Sequence, residues 1–427
     1  MIRLILKMIW NQRRQNGWIL IEMILVGFFL WKATGKIFET EYTLNLSPGY
    51  NERGVYEMQI GEYRNDYDLY ETSADNDSAR MDNMKIIINR LRQCKDISSF
   101  FIPYGGGSIP NEDCYSSTSV KIDSIDCGVQ YFDEILFEGT DMFKTYEMHD
   151  AYTGRLMKKN RSIPKEKCVY LSKSFADKYY KGVNPVGKQS PVGDSLLKVA
   201  GVFSDIQTHC NEIPNYLTVY PRIVEPRAIQ GGFYVCFRLK PSVNTTAFEE
   251  YFRQDIAPKL SIGNYYLMQM QSLKKLREYQ QNASGSDNTL RYNVLMSGFF
   301  LLCTFIGMVG TFWIRSNNRR SDIGMMKSMG CSQSRIIRQF LTESWILTTS
   351  SFILAILWRL NVEHSGDFFK VDAIHADSPY LIYHPITLFL INSGLTYLIM
   401  LAIALIGTYI PVRRAARTLP AESLRDE

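Results

Sequence analysis

Apolar residues crowd the start and the last third of this chain and thin out between them. Four runs are continuous enough to read as membrane spans: Gly17–Trp31, interrupted by Glu22; Val294–Ile314; Trp345–Leu360, longer if Phe340–Leu341 join it; and Ile386–Ile410. A 21-residue run such as Val294–Ile314 reaches about 31 Å as a helix, enough to cross a hydrocarbon core of ~30 Å. After the first run, Trp31-Lys32-Ala33-Thr34-Gly35-Lys36 is a poor signal-peptidase site, so this run reads as an uncleaved anchor. The polar middle alternates differently. Val55–Gly61 reads as a strand, Arg80–Cys94 as a helix with Met84, Ile87, Ile88 and Leu91 at helical spacing, and Ile97–Tyr104 as a strand. A second such unit follows: Phe233–Lys240 as strand, Thr246–Pro258 as helix capped by Thr245 or Thr246, and Tyr265–Leu273 as strand. Two strand–helix–strand units around a central block predict a split βαβ arrangement. The insert, about 105–230, holds further strands at Cys168–Leu171, Leu196–Phe203 and Tyr216–Tyr220. Leu273–Gln281 reads as a helix that NASGSDNT breaks before the second span. The expected fold is therefore an α-helical membrane protein with four transmembrane helices plus a mixed α+β extracytoplasmic domain.

Composition adds little: the mean hydropathy of −0.15 averages over two unlike regions. The net charge of +5 in 427 residues gives no reason to expect nucleic acid. The placement of charge says more. Arg3, Lys7, Arg13 and Arg14 precede the first run, Arg315, Arg319, Arg320, Lys327, Arg335 and Arg338 lie between the second and third, and Arg413, Arg414, Arg417 and Arg425 follow the fourth. Asn361–Pro385 carries Lys370 against Glu363, Asp367, Asp372 and Asp377. By the positive-inside rule both termini are cytoplasmic. The expected layout is 1–16 cytoplasmic, 17–35 the first span, 36–291 extracytoplasmic, 292–314 the second span and 315–343 a cytoplasmic loop. Then come 344–360 as the third span, 361–385 as a short external loop, 386–410 as the fourth span and 411–427 as a cytoplasmic tail.

Catalysis finds no support. The five histidines show no metal or triad spacing, and GGGSIP lacks the order of a nucleophile elbow. GVNPVGKQ imitates a phosphate loop, but Gln189 stands where Ser or Thr must reach magnesium, and a helix precedes it instead of following. Its residues read as a turn. Six cysteines (Cys94, Cys114, Cys127, Cys168, Cys210 and Cys236) lie in the external segment, as disulfides or as buried thiols. No catalytic, cofactor-binding or metal-binding residue is assigned.

The basic segment RSNNRRSDIGMMKSMGCSQSRIIRQFLTES (Arg315–Ser344) has its own pattern. Ser321 caps a helix from Asp322, along which Ile323, Met326 and Met329 share one side. Gly330 ends it, and Ser332 caps a second helix with Ile336, Ile337, Phe340 and Leu341 along one face. The periodicity fits two occupants equally, a groove on a protein or an anionic lipid surface anchored by Lys327 and the arginines.

RRSDIGMMKSMGCSQSRIIRQFLTES resembles the cytoplasmic loop of MacB/FtsX-like ABC permeases, with Asp322 in place of the usual Glu and Cys331 in place of Ala. PVRRAARTLPAESLRDE is similar to the family's ending, with Ser423 at the usual Ala, and VYLSKSFADKYY…NPVGKQ…LKVAGVFSDI to its periplasmic signature. Residues 40–160 carry little of the resemblance. The resemblance implies a non-catalytic, multi-pass subunit of the bacterial inner membrane, pairing with a second copy, identical or not. It implies that the loop seats on an ATPase through Asp322, Ile323, Gly324, Met326, Lys327, Met329, Gly330, Ser332, Ile336 and Glu343. With no phosphate loop in this chain, ATP and magnesium belong to a separate ATPase subunit. Motion would pass through stiff spans to the external domain for export, with a periplasmic adaptor and an outer-membrane channel as further partners. The same architecture serves FtsX-like regulators of cell-wall hydrolases and lipoprotein-release permeases. Glu22 and Asn392 are the notable polar groups of the spans, Glu22 reaching towards the inner interface.

Overall fold

Strand β1 (Val55–Glu62) is buried along most of its length, as a strand covered on both faces should be. Next comes α2 (Asp77–Arg92), whose Met84, Ile87, Ile88 and Leu91 fill its inner stripe. It starts three residues before Arg80 because the Asn76 side chain accepts the Ala79 N–H at 2.9 Å and caps it there. Strand β2 (Ile97–Phe101) stops short of Tyr104, near Pro103, which has no N–H to donate. Beyond the insert, β8 (Gly232–Leu239), α5 (Thr245–Tyr251) and β9 (Tyr265–Ser272) repeat the unit. The cap of α5 is Asn244, which accepts from Thr246 and Ala247, and not either threonine. This is the computed structural model of the chain, and it describes residues 13–111, 114–122, 125–159, 167–192, 197–210, 212–283, 285–363, 380 and 385–417.

The two units interleave. The first sheet has the order β2-β8-β1-β9, with neighbours antiparallel. β1 and β2 thus lie parallel with β8 between them, the split βαβ arrangement expected. The insert forms a second sheet, order β3-β4-β7-β5-β6, from β3 (Ser116–Ile122), β4 (Ile125–Ile135), β5 (Cys168–Ser172), β6 (Lys198–Phe203) and β7 (Leu217–Arg222). The β3–β4 hairpin had no counterpart among the expected strands, and Leu196, the expected start of β6, lies outside the described residues. A short α3 (Met142–Thr145) and α4 (Lys173–Tyr180) complete the insert. Phe101, Phe132, Tyr146, Tyr170, Phe203 and Cys236 share one core cluster. None of the eight cysteines, all of them among the described residues, is joined in a disulfide, and five are buried. Helix α4 precedes the GVNPVGKQ turn, and the Gly187 N–H donates to Val199 of β6 at 2.8 Å. That is the reverse of the strand–loop–helix order a phosphate loop needs.

Helix α6 (Leu273–Ala283) leads to the second region. There α1 (Arg13–Asn45), α7 (Ser286–Asn318), α9 (Gln333–Glu363) and α10 (Pro385–Arg417) are each long and apolar enough to cross a membrane. α1 and α7 run well past their apolar runs, and within NASGSDNT α6 ends at Ala283 and α7 starts at Ser286, with Gly285 between them at φ +67°. The chain divides into two compact units, Tyr42–Ser286 with Tyr380 on one side, and α1 up to Glu41 with the helices from Asp287 on the other. Within the helical unit, small hydroxyls stitch helices together. Thr408 donates to Ser344 at 3.0 Å, and Thr34 donates to Asn392 at 2.8 Å. Glu22, the polar interruption of the first apolar run, contacts a neighbouring helix. Its carboxylate lies against Gly307 of α7, where an added Cβ would stand 2.4 Å from Oε1. Arg359, not singled out from sequence, is buried with its guanidinium 4.9 Å from the Trp31 ring and 5.4 Å from that of Phe28.

Candidate functional site

The basic segment folds as a short helix between two long ones. Helix α8 (Arg320–Ser328) begins two residues before Asp322, with Arg319 and not Ser321 in the cap position. The side chains of Ser321 and Asp322 lie outside the described residues. At the other end Gly330 adopts φ +85°, a region open to glycine at little cost. The Gly330 N–H donates to Lys327 O at 3.0 Å and the Cys331 N–H to Met326 O at 2.9 Å. This pair of bonds is a Schellman stop, with Met326 and Cys331 packed together on the helical core. Ser332 O then accepts from Arg335 and Ile336 and opens α9. α9 continues without a break through the third apolar run, so the second loop helix and the third span are one rigid rod of 31 residues.

Ten residues were named for this site, and the fold divides them. Ile323 and Ile336 are buried in a cluster with Ile19, Met23, Phe340, Val412 and Ala416, and Gly324 is buried beside them. They fasten the helix down. Met326 and Lys327 are half-buried, while Gly330 and Ser332 are exposed. Met329, expected to share a side with Ile323, is 73% exposed and pairs across one turn with Met325, 52% exposed. Met325 was missed. Its spacing of four from Met329 is the signal that identifies it, since adjacent Met325 and Met326 cannot face one way.

Glu343 is 1% exposed and cannot touch a docked partner. Its two oxygens take Arg315 Nη1 at 3.0 Å and Arg319 Nη1 at 3.4 Å. Arg315 also lies over the Phe312 ring, and Arg319 over that of Phe340. One carboxylate thus closes the base of the loop by joining the end of α7 to α9. The pattern of positive charges had pointed to the two arginines, without their partner. The result is a short lever, pinned by apolar contacts and a buried ion triad, that presents two methionines outward. Such a surface is adaptable and apolar, suited to a protein groove. Among the described residues no cluster of His, Cys, Asp and Glu could hold a metal ion.

Residues 294–420 match the family model of the FtsX-like permease C-terminal region. The chain is 20% identical over 321 residues, 72% of its length, to the macrolide export ATP-binding/permease protein MacB of Mannheimia succiniciproducens. It is 25% identical over 142 residues, 30% of its length, to the lipoprotein-releasing system transmembrane protein LolC of Neisseria meningitidis serogroup B, of which it covers 34%. It spans 47% of that MacB, about half the relative's length. The periplasmic region of MacB from Actinobacillus actinomycetemcomitans superposes with a TM-score of 0.33 at 15% identity, over 56% of this chain and 98% of that one. The chain is thus similar to MacB/FtsX-like ABC transporter permeases, with the FtsX-like permease C-terminal region falling on its last three long helices.

Proposed function

We propose that this permease is a non-catalytic, multi-pass inner-membrane subunit, with both termini cytoplasmic and its sheet domain outside. It converts ATP hydrolysis by a separate ATPase subunit into movement of that domain, working as a pair of copies. The observation that carries this reading is α8, braced at its base by Glu343 and offering Met325 and Met329 to a partner. A pinned helix joined through the tight Gly330 stop to the long rod of α9 passes a push onward, whereas a loose loop would absorb it. ATP and magnesium then belong to the partner, and no step of chemistry falls to this chain.

Export is the leading reading, because MacB bears that name among the relatives; a periplasmic adaptor and an outer-membrane channel would complete the path. Lipoprotein release is the second, favoured by the LolC relative. Regulation of a cell-wall hydrolase uses the same lever. Crosslinking from the sheet domain separates them by what it captures: an adaptor, a lipid-anchored protein or a hydrolase.

The lever is tested by Met325→Asp with Met329→Asp in the tagged full-length chain. Both side chains are exposed, so stability should change by no more than about 0.5 kcal/mol. The ATPase activity that co-purifies with the parent should fall by at least about tenfold, the effect of a desolvated charge in an apolar contact. Undiminished activity would end the docking assignment. Orientation is tested separately: an impermeant maleimide should spare a Met329→Cys variant in intact spheroplasts and label it once they are opened.

A further inference from the structure

One residue beyond β6, Asp205-Ile206-Gln207-Thr208 are all buried, although three are polar and none lies in a strand. Buried polar groups must find partners, and here the partners come from separate parts of the chain. Gln207 Nε2 donates to Thr43 O in the last turn of α1 at 3.0 Å, and also to Cys210 O at 3.3 Å and Glu212 O at 2.8 Å. Gln207 Oε1 accepts Arg277 Nη2 of α6 at 2.9 Å. Arg277 in turn stands 3.8 Å from Glu52. The Gln207 main-chain N–H donates to Pro48 O at 2.9 Å, just beyond α1. Gly49, at φ +79°, comes so close that an added Cβ would lie 2.3 Å from Asp205 O.

Asp205 completes the set. Its carboxylate accepts the Ser174 N–H at 2.9 Å and the Ser174 hydroxyl at 2.8 Å, at the start of α4. It also holds the hydroxyl of Tyr380, whose main-chain oxygen accepts from Tyr42 at 2.6 Å. Every group named belongs to the same compact unit. Yet by chain connection Tyr42 and Thr43 end α1, α6 leads within two residues to α7, and Tyr380 sits between α9 and α10.

We propose that Asp205 and Gln207 form the junction at which α1, α6 and Tyr380 are tied to the five-stranded sheet, so that movement of these elements enters it through β6. The side-chain amide suits the task. It donates to one helix and accepts from another, so neither moves without the other. A hydrophobic residue of the same size would pack there but leave the Thr43 carbonyl and the Arg277 guanidinium without this link. The junction rests on the coupling reading above.

The test is hydrogen exchange on the full-length chain co-purified with its ATPase, with and without a non-hydrolysable ATP analogue. In the parent, the analogue should change exchange in β6 and β7 (198–222). Gln207→Leu should keep the ATPase bound and abolish that change. Without nucleotide it should also speed exchange by about tenfold in both 43–48 and 274–283, the factor expected for a lost hydrogen bond. Gln207→Glu keeps an oxygen for Arg277 but loses the donor to Thr43. It should loosen 43–48 and leave 274–283 as in the parent, a split that general unfolding cannot produce. A parent that ignores the analogue overturns the coupling reading and the junction with it. A parent that responds while Gln207→Leu responds equally overturns the junction alone. Should Gln207→Leu fail to fold, equal loosening of both segments in Gln207→Glu would overturn it as well.

Discussion

The two units of this protein bury charge by different means. In the helical unit Glu343 meets Arg315 and Arg319, and Arg359 lies against the Trp31 and Phe28 rings. In the sheet unit some buried carboxylates pair with arginine, as Asp133 does with Arg222 at 2.8 Å, but others find amides and hydroxyls. Glu57 takes the N–H and the hydroxyl of Ser108, each at 2.6 Å, and Asp205 takes both donors of Ser174. Glu134 combines the two means, with Met142 N at 3.1 Å and Lys159 Nζ at 2.8 Å. The cause is the supply of donors. Inside a long helix each main-chain N–H is already bonded four residues back, so a buried charge there needs an opposite charge or a π face. Turns and helix starts leave N–H groups free, and a carboxylate can be satisfied without a cation.

The sharpest way to break this contrast is Glu343→Ala. It leaves two buried guanidinium groups facing each other and should cost about 3–5 kcal/mol, read as a lower unfolding midpoint in detergent. Replacing Glu343, Arg315 and Arg319 together by leucine should recover most of that loss. If the triple variant is as damaged as Glu343→Ala, the ion triad is not what holds the loop base.

In the sheet unit the corresponding deletion is milder. Ser108→Ala removes one donor to Glu57 and should cost about 1–2 kcal/mol, because the Ser108 N–H and the Gln271 side chain remain. Its pH signature is opposite to that of a surface carboxylate. Burial raises the Glu57 carboxyl above its ordinary 4.5, against the lowering effect of the Ser108 donors. A raised folded value means that the native state holds the proton to higher pH than the unfolded chain does. That stability is fully present below 4.5 and is lost as pH rises through the folded value. Glu57→Gln lacks this loss, so its midpoint should improve relative to the parent between pH 5 and pH 8. A constant difference across that range would remove burial as the dominant cause.

The smallest effect expected is chemical. Burial pushes the Cys168 thiol up to about 11, and Cys236 higher still. Neither should react with iodoacetamide at pH 8 in the native protein. After denaturation, without reductant, all eight cysteines should add the label by intact mass. Fewer than eight would reveal a disulfide.

Much of the fold was legible because periodicity carries it. The stripe of α2 and the apolar runs of the four long helices needed no tertiary information. Element starts were less legible. Asn76 and Asn244 displaced the expected beginnings of α2 and α5, since a cap works only where the chain geometry lets its side chain reach back. The β3–β4 hairpin escaped notice because SSTSVKI is mostly polar, as befits an edge strand. In the basic loop, spacing found the helix and its glycine stop but put Met329 on the side of Ile323, whereas the fold exposes it with Met325.

The sequence alone determined that four helices are apolar enough to span a membrane, that a split βαβ domain separates the first two, and that a basic segment with its own short helix joins the second and third. Those properties follow from local composition and period, which each segment carries by itself. Only the tertiary structure decided that Glu343 is buried between two arginines, that Met325 is exposed beside Met329, and that Gln207 gathers the ends of distant helices. Whether a polar side chain faces a partner protein, an opposite charge or a main-chain carbonyl depends on which segments the fold brings within 3 Å or so, and no local pattern encodes that.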